Sequence, residues 1–362
     1  MDILLYGPTG KNIPTERMGG AEVGVKRSIE MLKHHGLDVC IVEKPTLYMG
    51  KLGFFKAFFK AIKEIRHNFK NGVSIFYLVG FYDKQIIFEF ILSLIAKMHH
   101  IPQIYEPKNG AMIWKYKESG FLYKTLFKYI IKKSDIVFCQ GKEYKSFLES
   151  LGYNNAVYHP NYVNKEAFGV RIIDCKTRHN FIYVGRITES KNIELIIEIY
   201  KKARSKGIDG QLYLVGGFEP EYKEKLDSAI KKAGLMDQVH FTGRVGHDEI
   251  YSYLSKSKYF LFPTKEKFEG HSNSLTEAMA LGVVPIVSDI GFNKSVVGND
   301  FLVLSGYESD LYAETILRIE RENKWNVLSD ELKERVVLLF SEEAVKTNYL
   351  RNIDRLLNRT GY

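Results

Sequence analysis

The sequence predicts an α/β protein made of two halves, each a parallel sheet interleaved with helices. Three observations carry that expectation. Short apolar runs with strand character alternate with longer helical stretches along nearly the whole chain. In the second half, successive strand-like runs end in Gly185, Gly216 and Gly243, the pattern of strands that deliver ligand loops. At 362 residues the chain also exceeds one typical core. The expected division is 1–165, 166–340 and a closing helix over 341–362.

In chain order, residues 3–6 read as a short buried strand, followed by a Gly/Pro/Thr loop that ends in Gly19 and Gly20. A helix then runs to about residue 35 on the apolar face of Val23, Val25, Ile29 and Leu32. A second strand follows over 36–42. Strand, loop, helix and strand in this order make a Rossmann-like start. The dinucleotide fingerprint G-x-G-x-x-G is absent, which argues against a standard NAD site. Residues 51–70 alternate phenylalanine and lysine at helical spacing. Phe54, Phe55, Phe58 and Phe59 gather on one broad side, with Lys56, Lys60 and Lys63 around them. Such a helix either covers the sheet with its Phe residues or lies in a membrane interface. The expectation is a core helix with some Phe exposed, and peripheral docking on anionic membrane near it. Strands over 73–79, 102–105 and 135–139 alternate with helices over 83–98, 120–133 and 143–151.

The second half repeats the alternation more cleanly. Strands are expected over 181–184, 211–215, 239–242 and 259–262. Helices follow them, running to about 206 and over 220–233 and 247–256. Arg186 and Lys191 stand five apart on a strand–helix loop, where both can reach one diphosphate. The tail over 341–357 reads as a helix with an acidic first turn.

Composition narrows the function classes. Hydrophobic content of 45% is ordinary for a globular chain. Cys40, Cys139 and Cys175 are odd in number and far apart, so they form neither a disulfide framework nor a zinc pattern. A reducing cytoplasm is the simplest compartment. The N-terminus lacks the basic region of a signal peptide, and the longest greasy run, 86–96, is too short to span a bilayer. Net charge is +9, yet residues 1–165 hold 24 Lys and Arg against 14 Asp and Glu, while the remainder holds 28 against 29. A basic first half attracts nucleic acid, anionic lipid or phosphorylated substrate.

The most informative stretch runs from Glu269 to Asp289, EGHSNSLTEAMALGVVPIVSD. It reads as loop, helix and buried strand, with Ser272 or Asn273 as N-cap and Gly282 as stop. A helix start behind Gly270 offers outward amides and a dipole that favours an anion. Glu269 lies just before it and Glu277 about one turn inside. Carboxylates accept hydrogen bonds from sugar hydroxyls, so the arrangement fits a diphosphate with a sugar at each end. A solvated loop glutamate and an ordinary surface-helix glutamate would leave the same pattern.

Glu-x7-Glu followed by Ala-Met-Ala-x-Gly-x-x-Pro-Ile-Val resembles the donor-site motif of GT-B glycosyltransferases, specifically the retaining family 4, and Gly-Arg-x4-Lys at 185–191 matches that family as well. The resemblance implies two Rossmann-like domains facing across a cleft, an N-terminal acceptor domain, a C-terminal nucleotide-sugar domain and a last helix crossing back to the first. It assigns Arg186 and Lys191 to the diphosphate, Glu269 to the transferred sugar and Glu277 to the nucleotide ribose. Gly19, Gly20 and Gly216 become backbone contacts to the donor, Arg244 and Val245 contacts to the base or nucleotide, and His271, Ser272, Asn273, Ser274 and Leu275 the cradle at the helix start. Many members place a histidine after the strand at 102–105; here Lys108 and Asn109 stand there, closer to the Pro-Arg-Gly version, and are the acceptor-side candidates.

The activity implied is retaining transfer of a hexose-type sugar from a UDP- or GDP-sugar, with no metal and no cofactor. The acceptor is a glycan or a polyprenyl-diphosphate-linked glycan, in bacterial surface-polysaccharide assembly on the inner face of the membrane. No Asp-x-Asp occurs in the sequence to hold a divalent ion. Three readings compete: a nucleotide-sugar 2-epimerase of the same fold, an NAD-dependent oxidoreductase, and a basic nucleic-acid-binding protein. The last explains the charge of the first half but not the motif of the second.

Overall fold

The computed structural model describes residues 1–11, 20–46, 49–80, 85–108, 110–170 and 177–359. They divide into two compact units, Met1–Pro160 with Lys346–Tyr362, and Asn161–Val345.

The first unit holds β1 (Ile3–Gly7), α1 (Gly20–His34), β2 (Val39–Glu43), α2 (Gly50–Lys70), β3 (Ile75–Gly80), α3 (Ile86–Met98), β4 (Gln103–Pro107), α4 (Met112–Glu118), α5 (Phe121–Lys133), β5 (Ile136–Cys139), α6 (Lys142–Ser150) and β6 (Ala156–Tyr158). Its strands pair in parallel in the order β2-β1-β3-β4-β5-β6. Residues in β1, β3, β4 and β5 are buried throughout, as expected of strands covered on both faces.

The second unit holds α7 (Lys165–Phe168), β7 (Asn180–Val184), α8 (Ile193–Ser205), β8 (Leu212–Val215), α9 (Pro220–Ala233), β9 (Val239–Gly243), α10 (His247–Ser255), β10 (Ser257–Phe262), α11 (Asn273–Ala280), β11 (Val284–Ser288), α12 (Asn293–Val297), β12 (Val303–Leu304), α13 (Ser309–Arg321) and α14 (Trp325–Phe340). The last helix, α15 (Glu342–Arg359), begins there and continues into the first unit from Lys346. The second sheet is parallel in the order β12-β11-β10-β7-β8-β9. Numbered within the unit this is 3-2-1-4-5-6 read from the β9 edge, the dinucleotide-fold order, and the order reverses between β7 and β10.

The strands and helices read from the sequence lie where it places them. Strands β6 and β12 and helices α4, α7, α12, α13 and α14 are additional. In α14 the buried residues Trp325, Leu328, Leu332, Val336 and Phe340 form a regular stripe. Exposed Val327, Val337 and Leu338 spread apolar character around the helix and blur that period.

From Lys346 onward α15 packs within the first unit. Tyr349 stacks on His159 at 4.6 Å, Asn348 Nδ2 donates to Tyr158 O at 3.1 Å, and His35 meets Asp354 at 3.0 Å. Polar groups are buried beneath it. Glu106 accepts a hydrogen bond from Tyr77 at 2.7 Å, pairs with Lys108 at 2.6 Å, and lies 3.9 Å from His159 Nε2. A second buried pair joins Lys44 to Glu89 at 2.9 Å, and Tyr105 donates to the same carboxylate at 2.8 Å. Glu89, the charged residue within the greasy run at 86–96, is therefore an internal counter-ion.

Burial lowers the His159 pKa from 6.5 to about 4; the Glu106 charge opposes that shift and Lys108 adds to it. The unfolded chain thus binds the proton more readily between those two values, so stability falls as pH drops from about 6.5 towards 4. The expected loss is on the order of 3 kcal/mol. Urea unfolding across that pH range checks it, and His159→Phe is expected to flatten the profile.

Candidate functional site

The site is built where the second sheet reverses its strand order. Loops leave the carboxyl ends of β7 and β10 there, the place where folds of this strand order bind ligands. The β7 loop carries Gly185, Arg186 and a 3-10 turn at Glu189–Lys191. Gly216, after the neighbouring β8, crosses close beneath it at φ 144°, and a Cβ at that position would lie 1.9 Å from Gly185 O. No side chain fits there, so the two loops meet backbone to backbone.

Asn192 ends the turn in the left-handed region at φ 60° and donates from Nδ2 to Pro263 O at 3.2 Å. Lys265 N donates to Ser190 O at 2.8 Å, and Ser288 Oγ to Thr264 O at 2.7 Å. The first two bonds tie the β7 loop to the β10 loop, and the third ties the β10 loop to the end of β11. Across that seam Lys191 Nζ pairs with Glu269 Oε2, both side chains nearly withdrawn from solvent. The ammonium also lies 5.8 Å above the Phe262 ring, and Thr264 Oγ1 donates to the same Glu269 oxygen at 3.4 Å.

Arg186 is exposed and makes no ion pair among the described residues. Its carbonyl accepts from the Tyr183 hydroxyl at 2.8 Å. Burial pushes that hydroxyl well above its usual pKa; the Glu269 charge adds to the shift and Arg186 opposes it. Both charges therefore act on one small volume. Lys191 is held by its counter-ion, whereas Arg186 stands open to an anion.

The helix start forms as its composition predicts. Ser272 is the N-cap, with Oγ accepting from Leu275 N at 3.4 Å and 3.2 Å from Ser274 Oγ. At the other end Gly282 turns the chain at φ 70°, while the buried Arg178 donates to Leu281 O at 2.8 Å. Glu277 lies buried on α11. Asn161 Nδ2 reaches both His271 O and Asn273 Oδ1 at 3.0 Å, and the His271 ring packs edge-on against Phe340 at 5.1 Å. His271 and Asn273 thus help to anchor the helix start. Leu275 is fully buried, and its amide donates to the Ser272 cap. Arg244 is exposed and runs along Gly217, beside half-buried Val245.

In the first unit Gly20 opens α1 and is exposed, while Gly19 and Asn109 lie outside the described residues. Lys108 is turned inward onto Glu106 and against Gly24. On α2, Phe54 and Phe58 are buried against Phe88 at 5.0 and 4.6 Å, whereas Phe55, Phe59, Lys56, Lys60 and Lys63 are exposed. Among the described residues no helix is long and apolar enough to cross a membrane, and no three His, Cys, Asp or Glu side chains group so as to hold a metal ion.

Sequence reasoning missed Thr264, Tyr183 and Asn161. Thr264 had a readable signal, being a small polar residue at the carboxyl end of an apolar strand. Tyr183 and Asn161 act through contacts that only the fold supplies.

The second sheet thus has the strand order of dinucleotide folds, with cations, carboxylates and a capped helix start at its switch point. Residues 171–336 match the family model described as glycosyl transferases group 1. A capsular polysaccharide biosynthesis glycosyltransferase of Staphylococcus aureus is 33% identical over 143 residues, 39% of this chain and 38% of that protein. An O-antigen biosynthesis glycosyltransferase of Escherichia coli is 25% identical over 206 residues, 55% of this chain and 56% of that protein. The chain spans about half the length of the curated relatives it matches. The fold is that of HepE from Anabaena in complex with UDP, with TM-score 0.71, 12% identity, and 98% and 100% of the two chains covered.

Because Lys191 and Glu269 are nearly enclosed, removing one leaves the other a poorly solvated charge. Lys191→Met is expected to destabilise the protein by on the order of 3 kcal/mol. Lys191→Met/Glu269→Gln together should recover most of that loss, which a double-mutant cycle in denaturant unfolding measures.

Proposed function

We propose that this protein is a retaining, metal-independent glycosyltransferase. It moves a hexose-type sugar from a nucleotide diphosphate sugar to a glycan or polyprenyl-diphosphate-linked acceptor, in bacterial surface-polysaccharide assembly. The observation that carries this reading is the pairing of Lys191 with Glu269 at the β7/β10 switch point, with Arg186 open beside it. Two cations and the α11 amides seat the diphosphate, while Glu269 and Glu277 take sugar and ribose hydroxyls at either end. The relatives named for capsule and O-antigen synthesis support the polysaccharide setting. The fold neighbour solved with UDP, and again with UDP-glucose, makes a UDP-sugar the first donor to test.

In the reaction the bond from the sugar C1 to the terminal phosphate oxygen breaks, and its electron pair leaves with the diphosphate. Arg186, Lys191 and the first amides of α11 meet the charge that develops there. Donors of this kind contribute roughly 3–4 kcal/mol each. The acceptor oxygen forms its bond to C1 from the same face, and its proton passes to the departing phosphate oxygen. The configuration is retained, and no protein nucleophile is required. Glu269 then has two tasks: it accepts from the sugar hydroxyls and keeps Lys191 in register.

Arg186→Ala is the cleanest probe, because the residue is exposed and unbonded by its charge. Its turnover is expected to fall at least ~100-fold with an unchanged unfolding midpoint. Turnover of the unaltered protein should survive a chelator. Near-normal rates in the variant, or activity that disappears with chelator and returns with manganese, would refute the assignment. Assays with and without acceptor separate transfer from sugar epimerisation.

A further inference from the structure

We propose that the helical layer α2–α5 of the first unit seats on an anionic lipid bilayer through its exposed basic and apolar side chains. This deepens the transferase reading by placing the acceptor on a lipid.

The first observation is where the charge lies. Helices α2, α3, α4 and α5 carry thirteen Lys and Arg against three Asp and Glu. That excess equals the excess of the entire first half, where 24 Lys and Arg face 14 Asp and Glu. One of the three carboxylates, Glu89, is buried and neutralised by Lys44, so it contributes nothing to the surface. The positive charge of the protein is thus concentrated on a single layer.

The second observation is where apolar side chains reach solvent. Leu52, Phe55 and Phe59 on α2, Ile87, Leu94 and Met98 on α3, Trp114 on α4, and Phe121 and Leu122 on α5 are all exposed. Phe121 is 86% accessible, Met98 69% and Leu122 67%. They run from the first turns of α2 and α5 to the last residue of α3, so apolar side chains reach solvent along the whole layer. Ring contacts make the layer continuous, from Phe54 and Phe58 to Phe88 at 5.0 and 4.6 Å and from Phe90 to Tyr129 at 4.9 Å. The rest of the unit does not cover it: α15 packs beside α1, where His35 meets Asp354, and beneath it Tyr349 reaches Tyr77 and Phe138.

Charge complementarity with apolar penetration selects the partner. A nucleic acid would satisfy the lysines and leave Leu52, Phe59, Phe121 and Leu122 in water. A bilayer interface takes both, with the apolar groups at the acyl boundary and the ammoniums among anionic headgroups. Lys51, Lys56, Lys60, Lys124 and Lys128 stand within a turn or two of the exposed apolar residues, as an interfacial surface requires.

The test is sedimentation of the full chain with phosphatidylcholine vesicles, with and without phosphatidylglycerol. Binding is expected only with the anionic lipid, weakened at least ~10-fold at high salt. Phe121→Ser/Leu122→Ser is expected to weaken it by a further ~10-fold, with circular dichroism and UDP binding unchanged. No binding to anionic vesicles, equal binding to neutral ones, or a double variant that binds like the parent would overturn the proposal. So would tighter retention on duplex DNA than on vesicles. UDP titration of the same samples reads the donor site independently. Lost vesicle binding with intact UDP binding removes the docking surface alone, and vesicle binding without UDP binding removes the transferase reading alone.

Discussion

A lysine ammonium and a glutamate carboxylate, each nearly withdrawn from water, meet where the second sheet reverses its strand order. The residues are 78 apart in sequence, so only the 3-2-1-4-5-6 topology brings them together. Everything around the pair serves its geometry. Gly216 lets the β8 loop pass beneath Gly185, Asn192 and Lys265 join the two loops, and Thr264 holds the carboxylate. An ion pair so enclosed contributes little net stability, because desolvating both groups offsets most of their attraction. Its worth is positional: it holds a cation ready beside Arg186 and a capped helix start, at small reorganisation cost when a diphosphate arrives.

Much of this site was legible in the sequence because its parts are local. The helix start, its Ser272 cap, the Gly282 stop and the two flanking glutamates lie within one short segment. Arg186 and Lys191 share one loop. What stayed hidden depends on the third dimension. No spacing rule pairs Lys191 with Glu269, and nothing local marks His271 and Asn273 as anchors through Asn161. The phenylalanines of α2 make the same point. The expected core helix with some Phe exposed is what forms, but only the fold decides which, with Phe54 and Phe58 inward and Phe55 and Phe59 outward. Neighbours on a helix point about 100° apart, so a pair of adjacent phenylalanines cannot share a core face fully. Helix α14 escaped notice for a related reason, since its exposed valines and leucine widen the apolar arc.

The two units divide the electrostatic labour. The second is nearly neutral overall and encloses one ion pair, Lys191 with Glu269, where withdrawal from solvent makes each charge count. The first carries the net charge of the protein, spread over an outer helical layer and screened by solvent. Its interior is charged as well, through the Lys44–Glu89 and Lys108–Glu106 pairs, but these are internally compensated. A compensated interior and an uncompensated surface fit a unit that meets an anionic partner from outside.

The most direct measurement is a structure of the protein with UDP bound in the presence of a chelator. The account predicts the diphosphate in hydrogen-bonding reach of Arg186, Lys191 and the first amides of α11, with the ribose hydroxyls on Glu277. A diphosphate lodged elsewhere on the chain, or one that binds only when a divalent metal bridges it to the protein, would contradict it.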